Sequence, residues 1–547
     1  MKLKKIASFF LIGTISVLTF TGCGDSKQDL SKKDSLVMTT GAVRTLDSVK
    51  ASDSESFNMI QNTQETLLVY NHDKPYPGAA KSFDVSKDGL TYTFHLRDGL
   101  KWSDGKPLTS EDFKYSWMRL LNPDVGASYA FFLFPVVNAE KYYTGKGNAK
   151  DVGISTPDKN TLVVKLEHRV PYFDQVVAFS ALSPQREDIV KKFGEEYGTK
   201  PEKLVYSGPY VVKEWKKGAK VELQQNPNYW NANEIKVPTI RLMEIKEFNT
   251  KYQMFANDQL DVIEGGTGDY INKLKEGEKE GKWKIDYSAM PSIFFTKYNV
   301  KSENKALANS KVRLALSLAV DRKGFTDMII KTCIPAYGFV PPGILEGDLD
   351  YRKEVKEPLK EIKFKDPKDL LIEGLKEEGL DQDPSKYTFK YLLQGSTAGT
   401  KTQAEFMKDV WEKKLGIHVE IVPTADFSDY LQKENNGEYD LAFSGWSGDY
   451  NSPLTFLDLF MKGNGSNTGG YNNEKVNDLL KKLDNEGDPK KRIEISKQIE
   501  LEEIVKDPAM APIYYQDMNS FQKNYVEGLQ FTKFGGRYQL RWVSIKK

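Results

Sequence analysis

Between about residues 369 and 445 the chain alternates segments of helical period with segments of strand period. Helical spacing covers Asp369 to Leu375, Thr402 to Leu415 and Phe427 to Lys433, and strand patterns cover Thr388 to Leu393, Ile417 to Ile421 and Tyr439 to Gly445. Strands separated by helices pair through crossovers, so the alternation predicts an α/β unit with a largely parallel sheet. In such sheets ligands bind beyond the carboxyl ends of the strands. The last strand runs directly into Trp446-Ser447-Gly448-Asp449-Tyr450, where the glycines end regular structure. Aromatic walls around one fixed carboxylate, Asp449, suit a small cationic group: the carboxylate gives charge-assisted bonds, and the rings exclude water and add cation–π attraction. The alternative for Asp449 is a turn residue or helix cap, which the pattern leaves open. A serine nucleophile elbow needs Gly-x-Ser-x-Gly, and Gly445-Trp446-Ser447-Gly448 is one residue short of it.

At 547 residues the chain exceeds what one core organises, so two or three domains are expected. The first residues form a leader. Lys2, Lys4 and Lys5 precede an apolar run from Ile6 to Phe20, too short for a membrane span, and Thr21-Gly22 precede Cys23. This resembles a bacterial lipoprotein signal, which implies cleavage before Cys23 and lipid on its sulfur. Gly24 to Asp29 is polar and reads as a tether. Removing the three leader lysines leaves 75 basic residues against 77 acidic, so no basic field draws nucleic acid. With Cys23 lipidated, Cys333 is the only other cysteine and no intramolecular disulfide forms.

Earlier in the chain, Ser35 to Met38 reads as a strand and Phe57 to Val69 as a helix. Strands follow at Phe83 to Val85, Leu90 to Leu96 and Leu162 to Leu166. Thr109 with Asp112 is a near capping box for a helix that buries Phe113, Trp117, Leu120 and Leu121. A hairpin turns near Lys217-Gly218, and Ile240 to Ile245 is another strand. Phe294 to Asn299 and Met510 to Tyr515 read as two crossings between domains, the makings of a hinge.

Several motifs in this order resemble the oligopeptide-binding family, the extracytoplasmic substrate-binding lipoproteins of peptide ABC importers. They are Trp102-Ser103-Asp104-Gly105 with Leu108-Thr109 and Asp112-Phe113, Gly208-Pro209-Tyr210, Asn226-Pro227-x-Tyr229-Trp230, and Gly445-Trp446 with Asp449-Tyr450. The resemblance spans nearly the whole mature chain. It implies a three-lobed periplasmic-binding-protein-like α/β fold, with two α/β lobes joined by a two-strand hinge and a further lobe inserted in the first. The expected division is signal 1–22, tether 23–34, lobe I 35–70, inserted lobe II 71–202, lobe I again 203–293, lobe III 294–511 and lobe I to 547.

The resemblance also implies a ligand, short peptides held extended between lobes by backbone hydrogen bonds, and a partner, a membrane permease. It gives Asp449 the peptide α-ammonium and places Trp446, Ser447 and Tyr450 beside it. Phe427 matches a pocket-lining aromatic, Tyr129 a ligand-facing tyrosine of the inserted lobe, and Ser54 a position offering backbone groups from lobe I. The departures are Ser447 where some relatives have a disulfide cysteine, Phe443 where some have a basic residue, and no histidine in Gly399-Thr400-Lys401 to help with the peptide carboxylate. Lys401 is a candidate for that role or simply a solvated lysine.

The leading reading is a lipid-anchored, monomeric receptor on the outer face of the cell membrane that delivers short peptides to a permease. Alternatives keep the fold and bind an oligosaccharide, nickel or haem, or sense a peptide signal without transport. Only four histidines occur, at 72, 95, 168 and 418, none at ligand spacing, so neither metal nor cofactor is expected. An enzyme is not expected: no Walker loop, dinucleotide fingerprint, zinc motif or intact serine elbow is present.

Overall fold

A computed structural model describes residues 33–72, 74–266, 269–331 and 333–546. The leader, Cys23 and residues 24–32 lie outside them. The architecture hangs on two long strands, Trp283–Tyr298 of 16 residues and Met510–Lys523 of 14. They pair antiparallel from Trp283 opposite Lys523 to Lys297 opposite Met510, with the register broken between Ser288 and Ser292. To one side the sheet continues through Val262–Glu264, Ser35–Thr40, Thr239–Glu244, Lys220–Gln225 and Tyr210–Lys216. To the other it continues through Leu441–Ser447, Thr388–Leu392 and His418–Val422. Both crossings expected from sequence are present but much longer. Of the added stretches, Lys284 to Ser288 alternates polar and apolar residues and was passed over in sequence, whereas Gln516 to Gln522 is too polar to show the period.

The α/β alternation of the later segment is borne out. Thr388–Leu392 pairs parallel with His418–Val422 and with Leu441–Ser447, and the helices Pro367–Glu377 and Ala398–Leu415 fall between expected strands. A separate four-stranded sheet orders Ala80–Val85, Thr91–Leu96, Thr161–Lys165 and Ile154–Asp158. The helix Ser110–Leu120 packs on it and buries Phe113, Trp117 and Leu120 completely. Its start is fixed as expected: Asp112 Oδ2 accepts the Thr109 N–H at 2.8 Å.

Two expectations fail. The helix expected over Phe57 to Val69 is Ser54–Thr63, and Leu68–Asn71 is a strand. Gln64 turns extended because its side chain and that of Glu65 are engaged elsewhere: Gln64 Oε1 accepts from Ser207, and the Glu65 carboxylate accepts from Tyr229, Trp230 and Arg541. Trp446 and Ser447, expected in a loop, are the last residues of the strand Leu441–Ser447, paired opposite Ile293 and Ser292. Gly445 does not end that strand. A Cβ there would lie 2.8 Å from the Phe294 ring, so the glycine permits close packing between the paired strands.

The early motifs turn out to be structural joints. Tyr229 Oη donates to Glu65 Oε1 at 3.1 Å and Trp230 Nε1 donates to the same oxygen at 3.0 Å. Arg541 Nη1 completes the cluster at 3.0 Å from Glu65 Oε2, with Glu65 and Arg541 both buried. Asn226 Nδ2 donates to the Gly208 carbonyl at 2.9 Å, and the Gly208 N–H bonds Thr63 O at 3.0 Å. The first helix, the hairpin and the C-terminal segment are thereby tied together. Glu65→Ala leaves the Arg541 guanidinium buried without its carboxylate, and we expect a loss of about 3–5 kcal/mol. The check is the urea midpoint at unchanged slope; an unmoved midpoint would contradict this role.

Candidate ligand-binding cleft

The Leu441–Ser447 strand has one occupied and one open edge. Along one side it pairs with Trp283–Tyr298 from Leu441 to Ser447. Along the other, the parallel partner Thr388–Leu392 reaches only Leu441 and Ala442. From Phe443 to Ser447 that second edge has no strand partner among the described residues. Gly445, Trp446 and Ser447 line a cleft of about 580 Å³. An unpaired strand edge facing a cleft offers a row of N–H and C=O groups to an extended chain.

Asp449 sits two residues beyond the strand. Gly448 N–H bonds Pro291 O at 2.8 Å, the Asp449 N–H donates to Thr455 Oγ1 at 3.0 Å, and Tyr70 Oη donates to the Asp449 carbonyl at 3.3 Å. The backbone is thus held from three directions. The carboxylate is not: Asp449 is buried, lines the cleft, and among the described residues its Oδ2 has no hydrogen-bond partner. Burial pushes its pKa well above the ordinary carboxylate range, and Asp458 adds to the shift. Asp458 is itself pushed up to about 8 by burial, with Asp484 adding. A buried carboxylate without a counter-charge is a site for a cation.

Aromatic rings enclose it. The Trp446 indole lies parallel to the Tyr129 ring at 6.4 Å, with its Nε1 fixed on Thr455 O at 2.6 Å. Tyr129 stacks in turn on Phe179 at 5.3 Å and meets Phe57 edge-on at 4.8 Å. Phe427, the first residue of the helix Phe427–Asn435, lines the same cleft and stacks on Tyr430. Ser447 faces the cleft with its hydroxyl 2.7 Å from that of Ser292. Ser54 opens the helix Ser54–Thr63 on the opposite wall, where Asp53 caps the helix by accepting the Ser56 N–H at 2.9 Å.

Six of the seven residues singled out from sequence, Asp449, Trp446, Ser447, Phe427, Tyr129 and Ser54, line this one cleft. Tyr450 does not. Its ring is buried behind the wall, stacked on Tyr172 at 4.3 Å and 3°. A large ring adjoining a glycine-bearing loop packs into core more readily than it faces water, and here it braces the backbone next to Asp449. Lys401 is exposed on the helix Ala398–Leu415 and is not among the lining residues.

Sequence reading missed a group of charged side chains on the other wall: Lys251, Glu264, Glu55 and Arg537. Glu55 accepts the Gly41 N–H at 3.1 Å and pairs with Arg537 at 2.9 Å. The one local signal was Gly265-Gly266 after the short strand Val262–Glu264. Lys251 carries no such mark among the chain's many lysines. Among the described residues no group of three metal-ligating side chains converges, and no helix is long and apolar enough to cross a membrane.

With this geometry in view, the comparisons decide the family. Residues 74–468 match the model of bacterial extracellular solute-binding proteins, family 5. The chain belongs to that family. It is 31% identical to the oligopeptide-binding protein OppA of Bacillus subtilis, over 98% of this chain and 99% of the relative. It is 30% identical to a dipeptide-binding protein of Lactococcus lactis over the full length of both. Among solved structures, peptide-bound OppA of Listeria monocytogenes superposes with a TM-score of 0.86 at 28% identity, over 94% of this chain and all of that one. OppA of Haemophilus influenzae in complex with RPPGFSPFR also gives 0.86, at 26% identity, over 94% of this chain and 99% of that one. The three-lobed α/β fold expected for this family 5 chain is the one it has, and its family is one of binding proteins rather than enzymes.

A ligand ammonium at Asp449 requires the ionised carboxylate, while the empty site holds its proton above the ordinary range. Binding of an ammonium there would therefore expel a proton whenever the pH lies below the raised pKa. We expect the affinity for an ammonium ligand to fall, by up to about tenfold per pH unit, as the pH drops through that pKa. Asp449→Asn should flatten the dependence. Calorimetry in buffers of different ionisation enthalpy reads the released proton, and no release at any pH would contradict the assignment.

Proposed function

We propose that this protein captures short peptides in an extended conformation between two closing lobes and delivers them to the membrane permease of an ABC importer. The observation that carries the reading is the open edge from Phe443 to Ser447, which ends beside the unpartnered Asp449 carboxylate. Backbone pairing along the edge gives affinity that does not read side chains, and Asp449 sets register and direction by taking the α-ammonium. Trp446 and Tyr129 enclose that end, Phe427 and Ser447 line the adjoining wall, and Ser54 faces them from the first lobe. Tyr450 supports the loop from behind. The lobe division at 71–202, 203–293, 294–511 and 512–547 belongs to this proposal, with Trp283–Tyr298 and Met510–Lys523 as the hinge.

The relatives support the ligand class: those named above are an oligopeptide- and a dipeptide-binding protein, and two of the structures hold peptides. An oligosaccharide would leave Asp449 buried without a counter-charge, which argues against that alternative. The protein works by binding and release, without chemical turnover of its ligand and as a monomer.

Calorimetry with short peptides tests the reading. Free-amine peptides should bind, and the same peptides N-acetylated should bind at least 100-fold more weakly. Asp449→Ala should cost about 3–5 kcal/mol, because the ammonium is then buried without its partner. Equal affinity for acetylated and free peptides would remove Asp449 from this role.

We further propose that Cys23 carries a lipid that holds the receptor on the outer face of the cell membrane. Cys23→Ser should move the protein from the membrane fraction into the extracytoplasmic soluble fraction with peptide affinity unchanged. Retention of the variant on the membrane would contradict the anchor.

A further inference from the structure

Lys251 projects from the helix Phe248–Ala256 and lines the cleft on the first-lobe wall, half-buried. Among the described residues its ammonium makes no hydrogen bond and no ion pair, whereas the neighbouring Arg537 is paired with Glu55 at 2.9 Å and with Glu264 at 3.6 Å. The charged groups that act on Lys251 are Glu264, Glu55 and Arg537; those that act on Tyr129 are Asp449, Asp53 and Asp458. The cleft thus holds an unpartnered anion among one set of groups and an unpartnered cation among another. The two carry mirror-image strain. Desolvation pushes the Asp449 pKa up and the Lys251 pKa down, and each is relieved by a ligand charge of opposite sign. Glu264 does not cancel Lys251: burial pushes it up to about 7, so at neutral pH it carries less than a full charge.

Lys401, the candidate the family resemblance offered for the ligand carboxylate, is exposed and is not among the lining residues. Lys331 is the rival, an exposed residue at the rim between the lining residues Ile330 and Cys333.

We propose that Lys251 forms a second charged subsite, on the first-lobe wall of the cleft, that takes a carboxylate of the bound ligand. The inference rests on the peptide reading and deepens it. With Asp449 and Lys251 both lining it, the cleft offers one charge of each sign and so favours a zwitterion. A free peptide offers two sources of carboxylate, its C-terminus and an acidic side chain, and both carry the same chemistry.

The test titrates the purified wild type, Lys251→Met and Lys331→Met with one short peptide as its free acid and as its C-terminal amide. A second pair, both amidated, differs by Glu or Gln at one position. Methionine keeps the length and apolar stem of lysine. A charge-assisted bond lost on amidation should weaken wild-type binding about 10- to 100-fold. Lys251→Met should bind acid and amide alike while keeping the full penalty for N-acetylation, which shows its Asp449 end intact. Lys331→Met should behave as wild type.

If instead the Glu peptide outbinds the Gln peptide in wild type but not in Lys251→Met, the subsite stands and the side chain is its source. The proposal is overturned if Lys251→Met keeps both discriminations, if Lys331→Met loses them, or if wild type shows neither. If wild type binds none of the peptides, the peptide reading falls and this inference with it.

Discussion

The antiparallel pairing of Trp283–Tyr298 with Met510–Lys523 is the constraint on which the rest of the molecule depends. Among the described residues these strands are the longest members of the large sheet and sit in the middle of its order, so the strands on either side take their places from them. They also build the cleft. Phe294, Tyr514, Gln516 and Asn519 line it, and Leu441–Ser447 is held in register against one of the pair. The register break between Ser288 and Ser292 falls between the stretch of Trp283–Tyr298 paired with residues 518–523 and the stretch paired with Leu441–Ser447, and such a break lets a sheet bend. A cleft between two bodies joined by so few strands can open and close without disturbing either core.

Within the cleft the determining physics is desolvation. Folding buries Asp449 among Trp446, Tyr129 and their neighbours and leaves its Oδ2 without a donor. A structure built only for stability would pair or replace such a group, because an unpaired buried carboxylate destabilises the fold. The hydrogen bonds that hold its backbone on Thr455 and Tyr70 keep it aimed at the cleft. In the proposed binding mode the ligand would supply the missing counter-charge, so that strain in the empty state would become affinity in the bound one. The strand edge works differently. In the proposed mode its N–H and C=O groups, indifferent to side chains, would give breadth, while the charged positions would set polarity and register.

Much of this was legible in the sequence, and what was not has physical reasons. The helix–strand alternation from Asp369 onward and the capped helix after Thr109 follow from local periodicity, which survives folding when one face is buried. Of the long strands' remaining stretches, Lys284 to Ser288 alternates but was passed over, and Gln516 to Gln522 carries too many polar residues, Asn519, Ser520 and Gln522 among them, to show the period. The extent of Leu441–Ser447 was misread because Gly445 looked like a terminator, when it answers a contact with Phe294, distant in sequence. Asp449, Trp446 and Tyr129 converge in the cleft as the family motifs implied, while the neighbouring Tyr450 turned into the core. Lys251 had no local mark at all. Its place beside Glu264 and Arg537 is set by tertiary packing of segments almost 300 residues apart, which no local pattern encodes.

The central claim is that the open edge from Phe443 to Ser447 becomes a paired edge when ligand binds. Amide hydrogen exchange reads this directly, because pairing slows the exchange of the amides it engages. The account predicts that a short free-amine peptide raises protection across residues 443 to 449, and that the N-acetylated peptide at equal concentration does so far less. Unchanged exchange in that segment, under conditions where calorimetry shows the peptide bound, would contradict it.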